Sequence, residues 1–246
     1  MESVPTVWKE EYIVRSYEVD VQGRAKPHII FSYLLDSAWN HALSSEFNYQ
    51  DLSNRGQLWA LAKFLMVFYR SPEWNERVYV ETWGKDIDRF YALRDFTVNP
   101  VSGKKLVSAT SAWLILDQKT YRPQKLDRLR ENFPFQSGKH ELDVKLDKIP
   151  ALVQQKELSR SAVHFTDIDV NKHVNASKYM QWIMDSYPVE VLEEKDLKSF
   201  EINFMTEAKL DDEILVSVES TEKQDLCSIK RTSDDKELCR ARLEWT

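Results

Sequence analysis

Residues 27–46 read PHIIFSYLLDSAWNHALSSE, and their apolar side chains recur at steps of three and four residues. This spacing predicts a helix from Pro27 to about Glu46, because it brings apolar residues onto the same side of successive turns. Proline suits the first turn of a helix. The apolar residues nearly encircle the predicted helix, so we expect the rest of the domain to wrap around it.

The pattern changes after this helix. Four strand-like stretches follow, at 58–69, 78–83, 92–98 and 106–116, and the turn sequence NPVSG lies at 99–103. Short turns between neighbouring strands indicate an antiparallel sheet. A long helix followed by such strands is typical of the α+β class.

The same order returns in the second half of the chain. Residues 162–166 are predicted as a strand, and a helix is predicted from Asn175, as its N-cap, to about Tyr187. Further strands are predicted at 199–204, 214–219, 225–231 and 238–245.

Five identities support a duplication of about half the chain at an offset of 169 − 20 = 149 residues. They place Val14, Asp20, Val21, Asp36 and Ser37 over Val163, Asp169, Val170, Asp185 and Ser186. We therefore expect two domains, 1–125 and 158–246. The polar, proline-containing residues 126–157 are expected to link them.

Composition excludes several classes of protein. The net charge of −6 comes without a basic stripe, which argues against nucleic-acid binding. With five glycines and no glycine-rich phosphate loop, a nucleotide site is not expected. Cys227 and Cys239 have no metal-site spacing and are predicted to be buried free thiols, with no metal and no cofactor.

No targeting or membrane-spanning segment is expected from the sequence. No apolar run approaches the roughly 20 residues that span a bilayer, so no stable membrane insertion is expected. The first residues, MESVP, resemble neither a secretory signal nor an arginine-rich transit peptide. We expect a cytoplasmic protein.

The stretch FTDIDVNKHVN, residues 165–175, carries the strongest candidate for chemistry. Asp169, Asn171 and His173 occupy alternate positions just before a predicted helix start. Free N–H groups at a helix start can stabilise an oxyanion, and histidine can serve as a base near neutral pH. The same residues also suit an Asx turn and a helix cap, so by themselves they leave a structural role open.

The first half carries a changed version of this stretch. Its equivalent residues are Asp20, Gln22 and Arg24, without a histidine. The first half is therefore expected to be degenerate, free to shape a pocket while the second half keeps the chemistry.

The segment DVNKHVN at 169–175, followed by Tyr179, Trp182, Ile183 and Ser186, resembles the signature of the plant and bacterial fatty acyl-acyl carrier protein thioesterases. Further similar segments lie, in order, at RSPEW 70–74, TW 82–83, LRD 93–95 and ATSAW 109–113. The resemblance implies a tandem double hotdog fold, in which each half is a long helix wrapped by an antiparallel β-sheet. It also implies hydrolysis of fatty acyl-(acyl carrier protein) thioesters to free fatty acid and carrier protein, by a bacterial-type member.

The resemblance also implies a catalytic set, which carries over to Asp169, Asn171, His173 and Glu207. His173 and Glu207 would activate a water, or Glu207 would itself attack the carbonyl. Asn171 would orient the water, Asp169 would hold the loop, and N–H groups at Val174 and Asn175 would receive the oxyanion. Many plant members have a cysteine after this glutamate; here the residue is Ala208, which excludes a thiol nucleophile at that position.

The resemblance also implies a pocket for the acyl chain and a protein partner. Acyl-pocket candidates are Tyr33, Ser37, Trp59, Leu61, Phe64 and Met66, although core packing explains each of them equally well.

The implied partner is acyl carrier protein, which is acidic. A basic stretch could receive it or could simply be a solvated face: Lys119, Arg122, Lys125, Arg128 and Arg130. Either a monomer or a homodimer is compatible with two hotdogs in one chain.

Three alternatives stay open. A hotdog acyl-CoA thioesterase would use similar residues, but such proteins usually have one hotdog per chain. A hotdog dehydratase would also place a histidine and a carboxylate together. A non-catalytic acyl-binding protein would keep only the pocket.

Overall fold

The computed structural model describes residues 4–170, 172–222 and 224–246. The chain divides into two compact units, Met1–Leu146 (unit 1) and Asp147–Thr246 (unit 2). None of the helices in these described ranges has the length and apolar character needed to cross a membrane.

Unit 1 is an antiparallel sheet with one long helix. The elements along the chain are β1 (Trp8–Ile13), a 3-10 turn (Ser16–Glu18), α1 (Pro27–Leu43), α2 (Tyr49–Asn54), β2 (Gln57–Phe68), β3 (Arg77–Asp88), β4 (Tyr91–Pro100), β5 (Val107–Asp117) and α3 (Asp127–Asn132). The strands pair in the order β1-β3-β4-β5-β2.

The long helix α1 forms as its sequence predicts. Pro27 occupies the first turn, and Ile30, Phe31 and Leu34 have no exposed surface. The helix packs against β1 and β3. Burying each large apolar side chain contributes about 2 kcal/mol, which is why the all-round apolar pattern leads to a wrapped helix.

Unit 2 repeats this plan in fewer residues. Its elements are β6 (Lys156–Ala162), a 3-10 turn (Phe165–Asp167), α4 (Ala176–Asp185), α5 (Val189–Glu194), β7 (Leu197–Phe204), β8 (Glu213–Ser220), β9 (Gln224–Arg231) and β10 (Glu237–Trp245). The strands pair antiparallel in the order β7-β10-β9-β8-β6. As predicted, Asn175 is the N-cap of α4, where its side chain accepts a hydrogen bond from the Ser177 N–H.

The duplication is confirmed at the predicted offset. The two long helices begin at Pro27 and Ala176, and 176 − 27 = 149. After the helices the offset changes: β2 and β7 end at Phe68 and Phe204, and 204 − 68 = 136. Unit 1 therefore has 13 more residues in this part, including a helix of 17 residues where unit 2 has 10.

One predicted strand is wrong. Residues 162–166 were expected to be extended, but the strand ends at Ala162 and a 3-10 turn begins at Phe165. The His164 N–H donates to the Asp167 carboxylate at 2.9 Å, which curls the chain. Phe165 is 82% exposed, so its apolar character reflects no burial in a sheet. Hydrophobic periodicity also did not predict β1 or the short helices α2, α3 and α5.

The predicted linker, residues 126–157, is divided between the two units instead of standing apart from them. Its first part contains α3, and Leu126, Leu129 and Phe133 are buried in a core cluster of unit 1. Three apolar side chains among many charges are too few to show as a periodic pattern, which is why composition alone suggested a connection.

The polar part of this segment is held by lysines of the unit 1 sheet. Lys85 Nζ donates to the Leu142 carbonyl at 2.7 Å, and Lys63 Nζ donates to the Leu146 carbonyl at 2.5 Å. Backbone carbonyls have no sequence signature, so such anchors are visible only in three dimensions. The boundary between the units falls after residue 146 for this reason.

A buried histidine lies beside a cation in unit 1. His41 Nε2 is 2.7 Å from the Pro5 carbonyl, and His41 Nδ1 is 3.0 Å from Arg94 Nη1. Because arginine only donates, Nδ1 accepts and Nε2 carries the proton. Burial and the positive charge of Arg94 lower the pKa of His41 from 6.5 to about 4.

We expect this histidine to make stability depend on pH. Between pH 6.5 and about 4, His41 is protonated in the unfolded chain but stays neutral in the folded protein. The free energy of unfolding therefore falls as the pH falls. The loss is about 3 kcal/mol at most. Urea unfolding across this range should show a steeper loss for the wild type than for His41→Gln. Equal slopes in the two proteins would contradict the assignment.

Candidate functional site

A tight loop joins the 3-10 turn of unit 2 to α4. The Asp169 N–H donates to the His173 carbonyl at 2.8 Å, and the Lys172 N–H donates to the Asp169 carbonyl at 3.0 Å. The Asp169 carboxylate accepts from the His173 N–H at 3.3 Å. Lys172 has a φ of +64°, the left-handed conformation that closes the loop. Asp169 therefore folds the loop through both its backbone and its side chain.

Unit 1 builds the same loop without the histidine. The Asp20 N–H donates to the Arg24 carbonyl at 2.8 Å, and the Gly23 N–H donates to the Asp20 carbonyl at 3.0 Å. The Asp20 carboxylate accepts from the Gln22 and Arg24 N–H groups, both at 2.9 Å. The aspartate is thus common to both loops, and the difference lies in the side chain that each loop presents.

In unit 2 that side chain, His173, meets Glu207. His173 Nδ1 is 3.2 Å from Glu207 Oε1, and the two side chains are 33% and 43% exposed. A carboxylate at Nδ1 favours a proton on that nitrogen and leaves the lone pair on Nε2. At the equivalent positions unit 1 has Arg24 and Ser71, so it has no such pair.

Glu207 lies on a turn held by backbone hydrogen bonds. The Met205 and Thr206 N–H groups both donate to the Leu238 carbonyl, at 2.9 and 3.2 Å. The Ala208 N–H donates to the Tyr179 hydroxyl at 2.9 Å. The carboxylate is therefore supported on both sides by fixed peptide groups.

The two predicted oxyanion donors differ. The Asn175 N–H already donates to the Asp167 carbonyl at 2.9 Å, so it does not fit that role. The Val174 N–H has no acceptor among the described residues. In unit 1 the equivalent Ala25 N–H donates to the Pro72 carbonyl at 2.7 Å. The N–H that is bonded within unit 1 thus has an equivalent in unit 2 with no described acceptor.

The remaining predicted residues fall into three groups. Asn171 lies outside the described residues. Phe64 and Met66 are fully buried, and Trp59 and Leu61 are half-buried near the start of β2. Tyr33 and Ser37 are buried on α1, where Tyr33 donates to Glu18 at 2.6 Å and Ser37 lies 3.0 Å from the Tyr12 hydroxyl.

Sequence reasoning gave no role to Tyr179, although its hydroxyl holds the peptide next to Glu207. A usable signal was present: the position equivalent to Tyr179 in unit 1 is Ile30, an apolar residue of the same helix face. A polar tip at an otherwise apolar position, in only one of two repeats, indicates a specific hydrogen bond.

Other chemistry has no comparable support in the structure. No group of three or more His, Cys, Asp or Glu among residues 4–170, 172–222 and 224–246 could hold a metal ion. Cys227 and Cys239 are fully buried and unpaired, as predicted. Burial raises the pKa of Cys227 to about 12, so its thiol is not a nucleophile.

Two family models match the chain. Residues 5–132 match the acyl-ACP thioesterase N-terminal domain, and residues 151–246 match the acyl-ACP thioesterase C-terminal domain. An oleoyl-acyl carrier protein thioesterase of Coriandrum sativum, named as chloroplastic, is 30% identical over 83% of this chain and 60% of its own length. A palmitoyl-acyl carrier protein thioesterase of Cuphea hookeriana, also named as chloroplastic, is 27% identical over 97% of this chain and 62% of its own.

The chain thus spans only about 60% of the length of these curated relatives. Solved structures are similar along nearly its whole length. An acyl-ACP thioesterase of Bacteroides thetaiotaomicron has a TM-score of 0.87 at 21% identity, covering 98% of both chains. A 12:0-ACP thioesterase of Umbellularia californica has a TM-score of 0.86 at 23% identity, again covering 98% of both. The expected tandem α+β hotdog fold is confirmed.

The shared loops predict equal costs for losing their aspartates. Asp20→Ala and Asp169→Ala should each lower the free energy of unfolding by about 1–2 kcal/mol, because each leaves loop N–H groups without an acceptor. Chemical denaturation of the two variants beside the wild type measures this. A loss confined to one variant would mean that the loops are not held in the same way.

Proposed function

This chain belongs to the acyl-ACP thioesterase family, and from that membership we propose that it hydrolyses fatty acyl thioesters of acyl carrier protein to free fatty acid and carrier-protein thiol. The observation that carries the proposal is the contact between His173 and Glu207 at 3.2 Å. It lies in unit 2, whereas unit 1 folds the same loop without either residue.

In the proposed mechanism, water is the nucleophile. His173 Nε2 takes a proton from the water as its oxygen bonds to the thioester carbonyl carbon. Glu207 holds the proton on Nδ1 and stabilises the imidazolium that forms. The carbonyl oxygen becomes an oxyanion, which accepts a hydrogen bond from the Val174 N–H. When the tetrahedral intermediate collapses, the carbon–sulfur bond breaks and the thiolate receives the proton from His173.

Asp169 and Asn171 have supporting roles in this proposal. Asp169 closes the loop that carries His173, as its hydrogen bonds indicate. Asn171 orients the water, a role that rests on the family resemblance alone.

Direct attack by Glu207 is the second route. It would give an acyl anhydride on the carboxylate, which water then hydrolyses. The contact with His173 favours water attack, because it engages one carboxylate oxygen of Glu207 and orients the imidazole as a base for water. A single turnover in ¹⁸O-water separates the routes, since only anhydride formation followed by water attack on the Glu207 carbonyl leaves label in that side chain.

The acyl chain needs apolar surface that a ligand can cover. Of the predicted pocket residues, Trp59 and Leu61 are half-buried and offer such surface. Phe64 is fully buried against Phe31 and Phe96, with ring centroids 4.4 and 5.5 Å away, and belongs to the core. We therefore assign Trp59 and Leu61 to the acyl pocket ahead of the others.

Acyl carrier protein is the proposed partner, and the basic stretch after β5 is its candidate docking surface. All five of its side chains are exposed, namely Lys119, Arg122, Lys125, Arg128 and Arg130. Of these, Arg128 is paired with Glu46. A monomer or homodimer in the cytoplasm, as expected from the sequence, stays a prediction.

A substrate panel tests the function against its alternatives. We expect thiol release from medium- and long-chain acyl-(acyl carrier protein), with weaker release from the same acyl-CoA esters. The KM for the carrier-protein esters should rise with salt, because charge attraction between the partners is screened. Faster turnover of acyl-CoA would identify an acyl-CoA thioesterase, and hydration of enoyl esters would identify a dehydratase. Acyl binding without turnover would identify a binding protein.

Substitution of the paired residues tests the site. His173→Gln and Glu207→Gln should each lower kcat by about 10²- to 10⁴-fold, because proton transfer by a positioned base is lost. Their Tm should stay close to that of the wild type, since both side chains are partly exposed. Arg24→Gln, at the equivalent position of unit 1, is the matched control and should keep full activity. Near-normal kcat in either variant of unit 2 would refute the assignment.

A further inference from the structure

We propose that Tyr179 is a positioning residue: its hydroxyl fixes the peptide that follows Glu207 and so holds the carboxylate against His173. This inference rests on the proposed function. The Ala208 N–H donates to the Tyr179 hydroxyl at 2.9 Å. Tyr179 is 3% exposed and Ala208 is 1% exposed, so water does not replace this hydrogen bond.

The position of the hydroxyl is itself fixed by packing. The Tyr179 ring lies against Trp182 and Phe204, with centroids 5.2 and 5.4 Å away. Burial raises the pKa of Tyr179 above its ordinary value, so the hydroxyl keeps its proton. Tyr179 also belongs to α4, the helix whose first turn follows the His173 loop. One helix therefore positions both members of the pair.

Comparison of the units links this hydrogen bond to the chemistry. The residue equivalent to Tyr179 is Ile30, since 179 − 149 = 30, and the residue equivalent to Ala208 is Pro72, since 208 − 136 = 72. Isoleucine has no hydroxyl and proline has no N–H, so the unit without the pair lacks both the acceptor and the donor.

The unit 1 turn is held differently. There the Pro72 carbonyl accepts from the Ala25 N–H at 2.7 Å. The equivalent contact, from Val174 to Ala208, is absent among the described residues of unit 2. Tyr179 thus holds the turn from its buried side, so that no carbonyl of the turn accepts from the Val174 N–H while Glu207 faces His173.

Tyr179→Phe tests the role because it keeps the ring and removes only the acceptor. We expect kcat to fall by about 10- to 100-fold with KM within about twofold, since a small displacement of Glu207 slows the chemical step without changing the acyl pocket. Tyr187→Phe is the matched control. Tyr187 also lies in unit 2, packs against Trp245 and donates its hydroxyl to Asp225 at 2.9 Å.

The control separates positioning from loss of stability. Both variants should lower the Tm by similar amounts, but Tyr187→Phe should keep the wild-type kcat. An unchanged kcat in Tyr179→Phe, or an equal fall of kcat in both variants, would overturn the inference.

A second variant addresses the other end of the hydrogen bond. Ala208→Pro removes the donor and introduces the residue that unit 1 tolerates at this position. If the hydrogen bond acts as proposed, Tyr179→Phe lowers kcat no further in the Ala208→Pro background. Independent, multiplicative losses in the double variant would count against it.

Nuclear magnetic resonance of the His173 ring nitrogens separates this inference from the proposed function, because it needs no substrate. In Tyr179→Phe the Nδ1 signal should move toward that of Glu207→Gln, whereas Tyr187→Phe should leave it unchanged. A wild type without thioesterase activity would refute the proposed function, and the shifted Nδ1 signal would still support the positioning role. An unmoved Nδ1 signal in Tyr179→Phe would refute the positioning role whatever the activity.

Discussion

The aspartate-closed loop before each long helix is the constraint on which the rest depends. Asp20 and Asp169 each use an N–H, a carbonyl and a carboxylate to close the loop over a residue with positive φ. The loop sets where the helix begins and how its apolar side chains enter the core. It also decides which side chain projects at the fourth residue after the aspartate. Chemistry could therefore change at that residue while the fold stayed the same.

The two units show what such a change involves. Unit 2 has His173, Glu207, Tyr179 and Ala208 where unit 1 has Arg24, Ser71, Ile30 and Pro72. In each unit these positions lie around the turn that follows β2 or β7. The hydrogen bonds of this turn differ between the two units. In unit 1 the turn accepts a hydrogen bond from the loop. In unit 2 it donates one to the helix, and the equivalent loop N–H has no acceptor in the part of the chain that the structure describes. A backbone hydrogen bond between turn and loop in unit 1 is thus replaced in unit 2 by a hydrogen bond from the turn to a buried hydroxyl.

Unit 1 has its own buried polar chemistry, of a different kind. Lys85 and Asp95 are paired at 3.4 Å beneath the segment that ends the unit. Burial raises the pKa of Asp95, and this rise is only partly offset by hydrogen bonds from Thr110 and the Glu141 N–H and by the charge of Lys85. Because buried charges are costly without partners, these contacts hold an otherwise polar segment on the sheet. These contacts stabilise the fold of unit 1, whereas the residues of the proposed catalytic site lie in unit 2.

Much of this could be read from the sequence. Periodicity located both long helices, and alternation located most of the strands. The identities at a constant offset showed the duplication, and the alternate polar residues singled out the loop at 169–175. Such features are local, so each follows from the spacing of neighbouring residues.

Other features were decided by tertiary structure. Glu207 could be connected to His173 only through family resemblance, and Tyr179 had no role at all, because contacts between distant residues have no fixed spacing. The Asn175 N–H looked available in the sequence, yet the Asp167 carbonyl occupies it. The polar segment after residue 126 looked loose, yet carbonyl oxygens anchor it to lysines. Sequence determined which elements form and which side chains they carry; folding decided which backbone groups remained free, because each hydrogen bond requires two partners that only three-dimensional packing brings together.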